Sequence, residues 1–420
     1  MSEKLNINVR SEIGELEGVI LHTPGKEVEN MNPRNASKAL YSDILNLAIV
    51  NQEYAQLSGV LNKITRTFQI KDLLAEVLKN DKVKNDLIHN VVRNENLQDI
   101  MDDLESFNPY ELSTAMLEGL LMEKNNLTRF LDKRRYSLVP LHNFFFTRDA
   151  SVSVLDKVLI SKMASPVRER ESLIMETIFD YHPDFVTTTF NPICDRAPKD
   201  EISIEGGDVL IARDDILLIG TGTRTSSRGI DALIEKYKKE GGIKHIIVQQ
   251  LPHEPESFIH LDMVFTLLDK DKCMVFEPLI MHSNKYLTLH IEILNEKDVK
   301  IRGEKNILEA LKKLGMDLKP VYCGGTEDLY NMEREQWHSG ANFFALAPGK
   351  VIGYGRNSYT IEEMNRNGFE VIKALDVISE SINLADYNQY VVTIEGSELS
   401  RGGGGCRCMT MPVRRKAVEW

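Results

Sequence analysis

The feature that most limits the fold of this chain is a set of short β-rich runs that come in pairs, each pair joined by a tight polar turn. The pairs are residues 151–155 with 158–160, 209–212 with 216–219, 263–268 with 273–276, and 342–346 with 351–354. Helical patterns follow several pairs, for instance at residues 168–180 and 229–239. Units at intervals of roughly 55–80 residues predict an internal structural repeat, with residues 16–24 as a candidate fifth unit.

Residues 70–135 follow a different pattern. Between residues 60 and 135 the only glycine is Gly119, the only proline is Pro109, and apolar residues recur at helical spacing. The apolar stripes are Leu73, Leu74, Val77 and Leu78; Leu87, Ile88, Val91 and Val92; Leu97, Ile100, Met101 and Leu104; and Leu112, Met116, Leu120 and Leu121. They predict a compact bundle of short helices, although a helical layer of a single domain would give the same spacing. A longer amphipathic helix is predicted from residue 40 to residue 64.

Charge and cysteine content exclude several classes of protein. The chain has 51 Lys and Arg against 63 Asp and Glu, a formal net charge of −12, which argues against sequence-independent binding of nucleic acid. No apolar run approaches the roughly 18 residues of a membrane span, and the polar first residues argue against a secretory signal. Five mostly isolated cysteines make no disulfide framework, so the predicted location is a reducing cytoplasm.

The C-terminal residues 400–412 combine four consecutive glycines with Cys406 and Cys408. Glycines permit close backbone approach, but the segment lacks the Lys-Ser/Thr of a phosphate-binding loop. The Cys-x-Cys pair has no second cysteine pair or histidine cluster that would complete a tetrahedral metal site. Two interpretations remain open: a flexible tail with two buried thiols, or a nucleophilic cysteine that takes its histidine and carboxylate from elsewhere in the chain.

Three short acidic motifs lie at the start of three of the hairpins, at residues 146–149, 205–208 and 260–262. Each has an ordinary structural explanation by itself: a loop ion pair, a turn or bulge, and a buried structural histidine. In a cyclic repeat, however, equivalent strand ends converge on one axis, where a cluster of carboxylates is costly unless a cation fills it. A guanidinium binds paired carboxylates through parallel hydrogen bonds, so the motifs predict a pocket for a cationic substrate of this kind.

Taken together, these motifs resemble the signatures of arginine deiminases. The matching segments are Phe-Thr-Arg-Asp at 146–149, Ile-Glu-Gly-Gly-Asp at 204–208, His-Leu-Asp at 260–262 and Arg-Cys-Met-Thr-Met-Pro at 407–412. Their order and separations match as well, and so do residues 16–24, 167–171 and 351–357. The resemblance covers essentially the whole chain, including the helical segment that smaller guanidine-modifying relatives lack.

The resemblance implies an α/β fold, a five-bladed propeller of hairpin-plus-helix pseudo-repeats. Residues 1–69 and 136–420 would form the catalytic propeller domain, and residues 70–135 a small inserted helical domain. The implied activity is hydrolysis of L-arginine to L-citrulline and ammonia in arginine catabolism, through a covalent amidino-cysteine intermediate and with no cofactor or metal. The implied partner is the small-molecule substrate L-arginine, with no nucleic acid and no membrane, and the implied state is a cytoplasmic homo-oligomer.

The functional residues of the family carry over to single positions of this sequence. Cys408 is the implied nucleophile, because it directly precedes Met-x-Met-Pro, whereas Cys406 lies two residues early. His260 is the implied general acid and base, oriented by Glu205. The implied guanidinium ligands are Asp149 and Asp262; the substrate-binding residues are Asn143, Arg168 and Arg224 toward the α-carboxylate, the backbones of Leu40 and Gly402 toward the α-amino group, and Asp208 and Phe146 in the same pocket.

Other functions fit part of the pattern. A dimethylarginine hydrolase or an amidinotransferase would share the fold, but the helical segment and both substrate-end arginines argue against these enzymes. A non-catalytic arginine-binding protein would keep the pocket, yet Cys408, His260 and the carboxylates are all present. Gly403 departs from the family pattern, because some members carry a longer side chain over the substrate at this position.

Overall fold

The computed structural model describes residues 4–33, 36, 40–41, 43–191 and 202–420, and in them the chain is an α/β protein. The strands are β1 (Leu5–Asn6), β2 (Leu16–Leu21), β3 (Arg66–Gln69), β4 (Leu120–Leu121), β5 (Tyr136–Leu138), β6 (Ser151–Val154), β7 (Lys157–Ile160), β8 (Phe185–Val186), β9 (Thr189–Phe190), β10 (Val209–Arg213), β11 (Ile216–Thr221), β12 (His245–Gln250), β13 (Phe265–Leu267), β14 (Lys272–Val275), β15 (Thr288–Ile293), β16 (Val299–Glu304), β17 (Lys319–Tyr322), β18 (Phe344–Ala347), β19 (Lys350–Tyr354), β20 (Glu370–Lys373), β21 (Tyr390–Ile394) and β22 (Met411–Arg415). The helices are α1 (Lys26–Glu29), α2 (Leu47–Ile64), α3 (Ile70–Val77), α4 (Asp81–Glu95), α5 (Met101–Ser106), α6 (Pro109–Glu118), α7 (Leu127–Leu131), α8 (Glu169–Tyr181), α9 (Ser227–Glu240), α10 (Glu277–Ile280), α11 (Ile307–Lys313), α12 (Leu329–Trp337), α13 (Ser358–Arg366) and α14 (Ala374–Ile378).

Five sheets are built on one pairing pattern. In each, a central strand pairs antiparallel with one neighbour and parallel with a strand that follows after at least one helix. The strands that make this pattern are β22–β2–β3, β6–β7–β9, β10–β11–β12, β13–β14–β17 and β18–β19–β21. In addition, β15 and β16 extend the third sheet beyond β12, and β20 extends the last sheet beyond β21. The four hairpins predicted from the sequence are therefore confirmed, as β6–β7, β10–β11, β13–β14 and β18–β19.

The sheet β22–β2–β3 differs from the other four because its antiparallel strands come from distant parts of the sequence. The strand expected in residues 16–24 is β2, but its partner is β22 near the opposite end of the sequence, with Ile20 opposite Met411. β3 then pairs parallel with β2 after α2. The two ends of the chain thus join in one sheet, and this pairing holds the segment with Cys406 and Cys408 inside the protein, where both thiols are buried.

Strands β10 and β11 are apolar on both faces, and helix α9 packs against them. β10 and β11 are buried along nearly their whole length, as continuous apolar runs predict for strands covered on both sides. α9 begins after Ser226, whose side chain accepts from the backbone N–H of Gly229 at 3.2 Å, and it ends before Gly241, where φ is +73°. Its buried stripe packs in one core cluster with Leu217 and Ile219 of β11.

Helices α3 to α7 lie in the segment whose pattern predicted short helices. Most residues of the predicted stripes are buried, but Leu120 and Leu121 instead form the short strand β4, and Leu121 is exposed. Leu74 and Ile88 share a core cluster with Ile174 of α8. The apolar stripes therefore attach the helical segment to α8 and not only to one another.

The predicted helix from residue 40 to residue 64 is wrong over the described residues 40–41 and 43–46. α2 begins at Leu47, because Asn46 caps it with a side-chain oxygen that accepts from the backbone N–H of Ala48 at 3.1 Å. Leu40 has a φ of +63°, a left-handed conformation outside any α-helix, and residue 42 lies outside the described residues. The predicted stripe used Leu40 and Ile44 as helical positions, but Ile44 is only half-buried, and the residue that packs in the core cluster is its neighbour Leu45.

Candidate active site

The turns that lead into the first strand of each of the five units come together at one place. Asp149 precedes β6, Glu205 precedes β10, His260 precedes β13, Asn342 precedes β18 and Cys408 precedes β22. Hydrogen bonds and ion pairs link these side chains to one another or to shared partners. The convergence that the repeat predicted for the acidic motifs is present, and it extends to an asparagine and to the cysteine.

A cleft that is partly open to solvent passes over these turns. Nine of the predicted site residues line it: Leu40, Asn143, Phe146, Asp149, Arg168, Arg224, His260, Gly402 and Cys408. Glu205, Asp208 and Asp262 lie behind the lining and are fully buried. The predicted residues are thus gathered in one site, with three of the carboxylates behind the cleft wall.

His260 lies between two carboxylates. Its Nε2 is 2.9 Å from Oε2 of Glu205, and its Nδ1 is 3.7 Å from Oδ1 of Asp149. Burial lowers the pKa of His260, but Asp149 and Glu205 raise it by more, to about 9. Burial also opposes ionisation of Glu205, yet its bond to His260 and the charge of Arg224 lower its pKa to about 2. Near neutral pH the two residues therefore form an imidazolium–carboxylate pair.

The thiol of Cys408 lies against an amide and a carboxylate. Nδ2 of Asn342 is 3.2 Å from Sγ, and Oδ2 of Asp262 is 3.5 Å from it. Burial, followed by the negative charges of Asp262 and Asp149, raises the pKa of Cys408 well above that of an ordinary thiol. With no substrate in the cleft, the sulfur is therefore a neutral thiol near neutral pH.

Asn342 is a site residue that sequence reasoning missed. Its Oδ1 accepts from the backbone N–H of Arg407 at 2.9 Å and from that of Cys408 at 3.2 Å, and its Nδ2 also reaches the carbonyl oxygen of Asp262 at 3.1 Å. One amide thus fixes both the sulfur and the backbone that carries it. A signal was available, because Asn342 lies two residues before β18, just as Asp149 lies two residues before β6.

Asp262 is held in place by an arginine for which no role was predicted. Nη1 of Arg407 is 2.8 Å from Oδ2 of Asp262, and the opposite edge of the guanidinium binds the carboxylate of Glu12 at 3.1 Å. All three side chains are buried. Arg407 was visible as the residue before Cys408, whereas no local pattern in the sequence distinguishes Glu12.

Arg168 contacts a carboxylate that was predicted to hold the substrate guanidinium. Its Nη1 is 2.7 Å from Oδ2 of Asp149. Its Nε binds both oxygens of Glu171, at 3.0 and 3.1 Å, and its Nη2 binds one of them at 2.7 Å. Glu171, on the first turn of α8, is a further residue for which the sequence predicted no role. The predicted ligand of the α-carboxylate therefore already has two carboxylate partners.

The remaining predicted residues border the outer cleft or support it. Nη1 of Arg224 is 3.9 Å from Oε1 of Glu205, and its side chain lines the cleft. Oδ1 of Asp208 accepts from the backbone N–H of Leu261 at 2.9 Å, so this acid holds a turn behind the lining. Gly403 has a φ of +85°, and a Cβ there would meet no atom within 4 Å, so the cleft is open at this position.

One cluster has the spacing of a metal site. Among the described residues, it is the one group of three His, Cys, Asp or Glu side chains whose ligand atoms lie within 4.8 Å of one another, and it consists of Asp149, Glu205 and His260. Such a set can hold a metal ion, but each carboxylate already has a cationic partner, since Asp149 pairs with Arg168 and Glu205 with His260. The protein itself thus supplies the positive charge that a metal ion would bring. That the site works without a metal or cofactor stays a prediction.

Known proteins resemble this chain along its whole length. The family model of arginine deiminase matches residues 37–415. A curated arginine deiminase of Bacillus cereus (strain B4264) is 35% identical, and the match covers 98% of this chain and 99% of that protein. An arginine deiminase of Listeria monocytogenes serotype 4a (strain HCC23) is 32% identical, and the match covers 98% of each.

Solved structures share the fold at low sequence identity. SxtG, an amidinotransferase from Microseira wollei, matches with a TM-score of 0.53 at 13% identity, over 99% of this chain and 98% of its own. The N-terminal domain of ArgZ, a cyanobacterial arginine dihydrolase, matches with a TM-score of 0.52 at 12% identity, over 95% and 98%. At such identities these neighbours show the α/β fold alone. The family model and the curated relatives decide the question of descent, and the chain belongs to the arginine deiminase family.

Proposed function

We propose that the protein hydrolyses L-arginine to L-citrulline and ammonia through an amidino-cysteine intermediate, as an enzyme of arginine catabolism. The observation that carries this proposal is the gathering of the Cys408 thiol, the carboxylates of Asp149 and Asp262, and the Glu205-bound imidazole of His260 in one site. A guanidinium is resonance-stabilised and a poor electrophile. A site that attacks it needs a nucleophile, anions that orient the cation, and an acid for the departing ammonia.

Two buried carboxylate oxygens support binding of a guanidinium. Oδ1 of Asp149 and Oδ1 of Asp262 have no hydrogen-bond partner within the described ranges, although both are buried. An acceptor left without a donor costs roughly 1–3 kcal/mol, and a bound guanidinium removes that cost. Held by both carboxylates, the guanidinium loses orientational freedom and presents its carbon to the sulfur. Its positive charge also offsets the carboxylates and favours the Cys408 thiolate.

The proton transfers follow from the protonation state of His260. When the guanidinium binds, the Cys408 thiol releases its proton to solvent, where it is available to the ammonia product. The thiolate attacks the guanidinium carbon and forms an S–C bond, and the imidazolium donates its proton to the nitrogen that leaves as ammonia. The neutral imidazole then takes a proton from water, whose oxygen attacks the amidino-thioether carbon. The S–C bond breaks, the hydroxyl proton of the adduct passes to the sulfur, and citrulline leaves with the neutral thiol of Cys408 restored. Glu205 stabilises the cationic imidazole at the start of this sequence.

In this proposal the outer cleft holds the amino-acid end of the substrate. The lining of the cleft supports the assignment, because it carries the guanidinium groups of Arg168, Arg224 and Arg401, and a guanidinium matches a carboxylate. The assignments are Arg168, Arg224 and Asn143 to the α-carboxylate, the backbones of Leu40 and Gly402 to the α-amino group, and Phe146 to the cleft wall. Asp208 acts indirectly, through the backbone of Leu261.

We also propose that the five sheet units are the blades of a five-bladed α/β propeller around the cleft. Their common pairing pattern and the convergence of their strand starts support this arrangement. Residues 1–69 and 136–420 then form the catalytic domain. Residues 70–135 form the inserted helical domain, whose α3 and α4 pack on α8.

We propose that the protein is a cytoplasmic homo-oligomer that binds neither nucleic acid nor a membrane. The net charge of −12 disfavours nucleic acid as a partner. Cys273, Cys323, Cys406 and Cys408, the cysteines in the described part of the chain, are all free thiols, as expected in a reducing compartment. In the same part of the chain, no helix is both long enough and apolar enough to cross a bilayer.

A citrulline assay on the purified protein, with and without arginine, decides between the proposed function and its alternatives. We expect citrulline and ammonia in equal amounts, at a rate that EDTA leaves unchanged. Transfer of the amidino group to an added amine, with release of ornithine, would favour an amidinotransferase. Arginine binding without any product would favour a non-catalytic arginine-binding protein.

Agmatine, which is arginine without its α-carboxylate, should be a poor substrate. Each charge-assisted hydrogen bond from Arg168 or Arg224 to that carboxylate is worth roughly 1.5–3 kcal/mol, so the absence of either bond lowers kcat/KM by about tenfold to a hundredfold. Steady-state kinetics with the two substrates measure the difference. Comparable turnover of agmatine and arginine would remove the basis for both arginine assignments.

Gly207→Ala should impair catalysis through His260. A Cβ at Gly207 would lie 2.5 Å from Nδ1 of His260 and 3.1 Å from Oδ1 of Asp149, so the imidazole must move. A displacement of about 1 Å costs on the order of a hundredfold in kcat. Gly303→Ala is the matched control, because a Cβ at this exposed position of β16 would meet no atom within 4 Å. Measured kcat should fall only in Gly207→Ala; a wild-type kcat there would contradict the position of His260.

A further inference from the structure

The two carboxylates assigned to the substrate guanidinium are each already paired with a guanidinium of the protein. Asp262 pairs with Arg407, and Asp149 pairs with Arg168. The two pairs differ in their access to a ligand. Arg407 does not line the cleft and is held on its opposite edge by Glu12, whereas Arg168 lines the cleft. A ligand in the cleft can therefore exchange only with Arg168.

Glu171 holds Arg168 by an edge that is separate from its contact with Asp149. It binds Nε and Nη2, the edge of the guanidinium that does not face Asp149. Of the bonds that Arg168 makes to carboxylates, only the one from Nη1 goes to Asp149, so this bond can be exchanged while those to Glu171 remain. Burial opposes the charge of Arg168, but Glu171 and Asp149 raise its pKa well above the ordinary value, so the side chain is a permanent cation.

We propose that Arg168 blocks Asp149 in the free protein and releases it only to a ligand that brings a carboxylate of its own. When L-arginine enters, its α-carboxylate replaces Asp149 on Nη1, and its guanidinium replaces Arg168 on Asp149. One ion pair breaks and two form. A cation without a carboxylate instead places a second guanidinium beside Arg168, and the like charges oppose its binding. This inference rests on the proposed function, and it makes Arg168 a determinant of specificity beyond its contact with the substrate.

This exchange and a simple carboxylate contact differ in what they predict for agmatine. If Arg168 only binds the α-carboxylate, its removal weakens arginine binding and leaves agmatine binding unchanged. If Arg168 also blocks Asp149, its removal strengthens agmatine binding, because Asp149 becomes accessible. When Arg168 is present, agmatine must displace its buried, charge-assisted contact with Asp149. We therefore expect the removal of Arg168 to lower the Kd of agmatine by about tenfold or more.

Binding to a Cys408→Ala protein tests the exchange without turnover. Calorimetric titration with agmatine and with L-arginine gives both Kd values for Cys408→Ala and for Cys408→Ala/Arg168→Gln. We expect the second substitution to strengthen agmatine binding and to weaken arginine binding, each by about tenfold or more. Arg168→Gln leaves the buried carboxylate of Glu171 unpaired, which can make the double variant unfold more easily. The triple variant Cys408→Ala/Arg168→Gln/Glu171→Gln removes that carboxylate and gives the same two Kd values. Agmatine binding that is unchanged or weaker in both proteins would overturn the proposal.

Arg224→Gln, again with Cys408→Ala, is the matched control. Arg224 lines the same cleft, but its Nη1 is 3.9 Å from Glu205 and it makes no contact with Asp149 among the described ion pairs. Here we expect weaker arginine binding and an agmatine Kd that changes by less than about threefold. A gain for agmatine as large as that of Arg168→Gln would indicate a general effect of removing positive charge and would overturn the exchange. The proposed function is tested by a separate measurement: it fails if the wild-type protein binds arginine but forms no citrulline.

Discussion

Replacing Cys408 by alanine is expected to abolish citrulline formation, whereas replacing Cys406 by serine should preserve most of it. The sulfur of Cys408 lines the cleft, 3.2 Å from Nδ2 of Asn342 and 3.5 Å from Oδ2 of Asp262. Cys406 is also buried but does not line the cleft, and burial alone raises the pKa of its thiol. Loss of a nucleophile costs on the order of 10⁴-fold or more in kcat. Citrulline formation under saturating arginine measures both variants.

Both cysteine variants must be shown to fold before their activities are compared. The carbonyl oxygen of Cys406 accepts from Oγ1 of Thr410 at 3.0 Å, and Cys406→Ser leaves this backbone contact in place. Thermal unfolding and arginine binding should therefore stay close to wild type in both proteins. An inactive Cys406→Ser together with an active Cys408→Ala would reverse the assignment of the nucleophile.

The second large effect is expected on the alkylation of Cys408. Because burial, Asp262 and Asp149 raise its pKa, the free protein holds a neutral thiol at about pH 6 to 7, and neutral iodoacetamide should react slowly. A cationic amidine with an alkylating group places a positive charge beside the sulfur and promotes the thiolate. Relative to their rates with a free thiol, the cationic reagent should inactivate the protein about a hundredfold faster than iodoacetamide.

The pH dependence of inactivation separates this mechanism from its alternative. The iodoacetamide rate should keep rising as the pH increases, because the thiolate of the free protein forms only above the raised pKa. The advantage of the cationic reagent should shrink in Asp149→Asn and in Asp262→Asn, which remove one anion each. If the iodoacetamide rate instead reaches its plateau well below pH 6, His260 ionises Cys408 in the empty site, and substrate-promoted ionisation is wrong.

The hairpins and the site motifs could be predicted because both are local properties of the sequence. An apolar run, a polar turn and a second apolar run determine a hairpin such as β10–β11 without a distant contact. The motifs at residues 204–208 and 260–262 are contiguous and lie at strand starts, so their convergence followed from the repeat. Prediction failed where tertiary packing set the backbone: Leu40 and Ile44 have helical spacing, but Leu40 is left-handed and the helix begins only at Leu47.

By itself, the sequence determined the hairpin units, the helical segment and the positions of Cys408 and His260, because each depends on neighbouring residues or on a contiguous motif. Only the tertiary structure decided how the charges are shared. The pairs of Arg168 with Asp149 and of Arg407 with Asp262 join separate segments, and the acceptor that a guanidinium reaches depends on differences of a few ångströms. The raised pKa of Cys408 has the same origin, because burial and the distance to surrounding charges set it, and no spacing along the chain encodes either quantity.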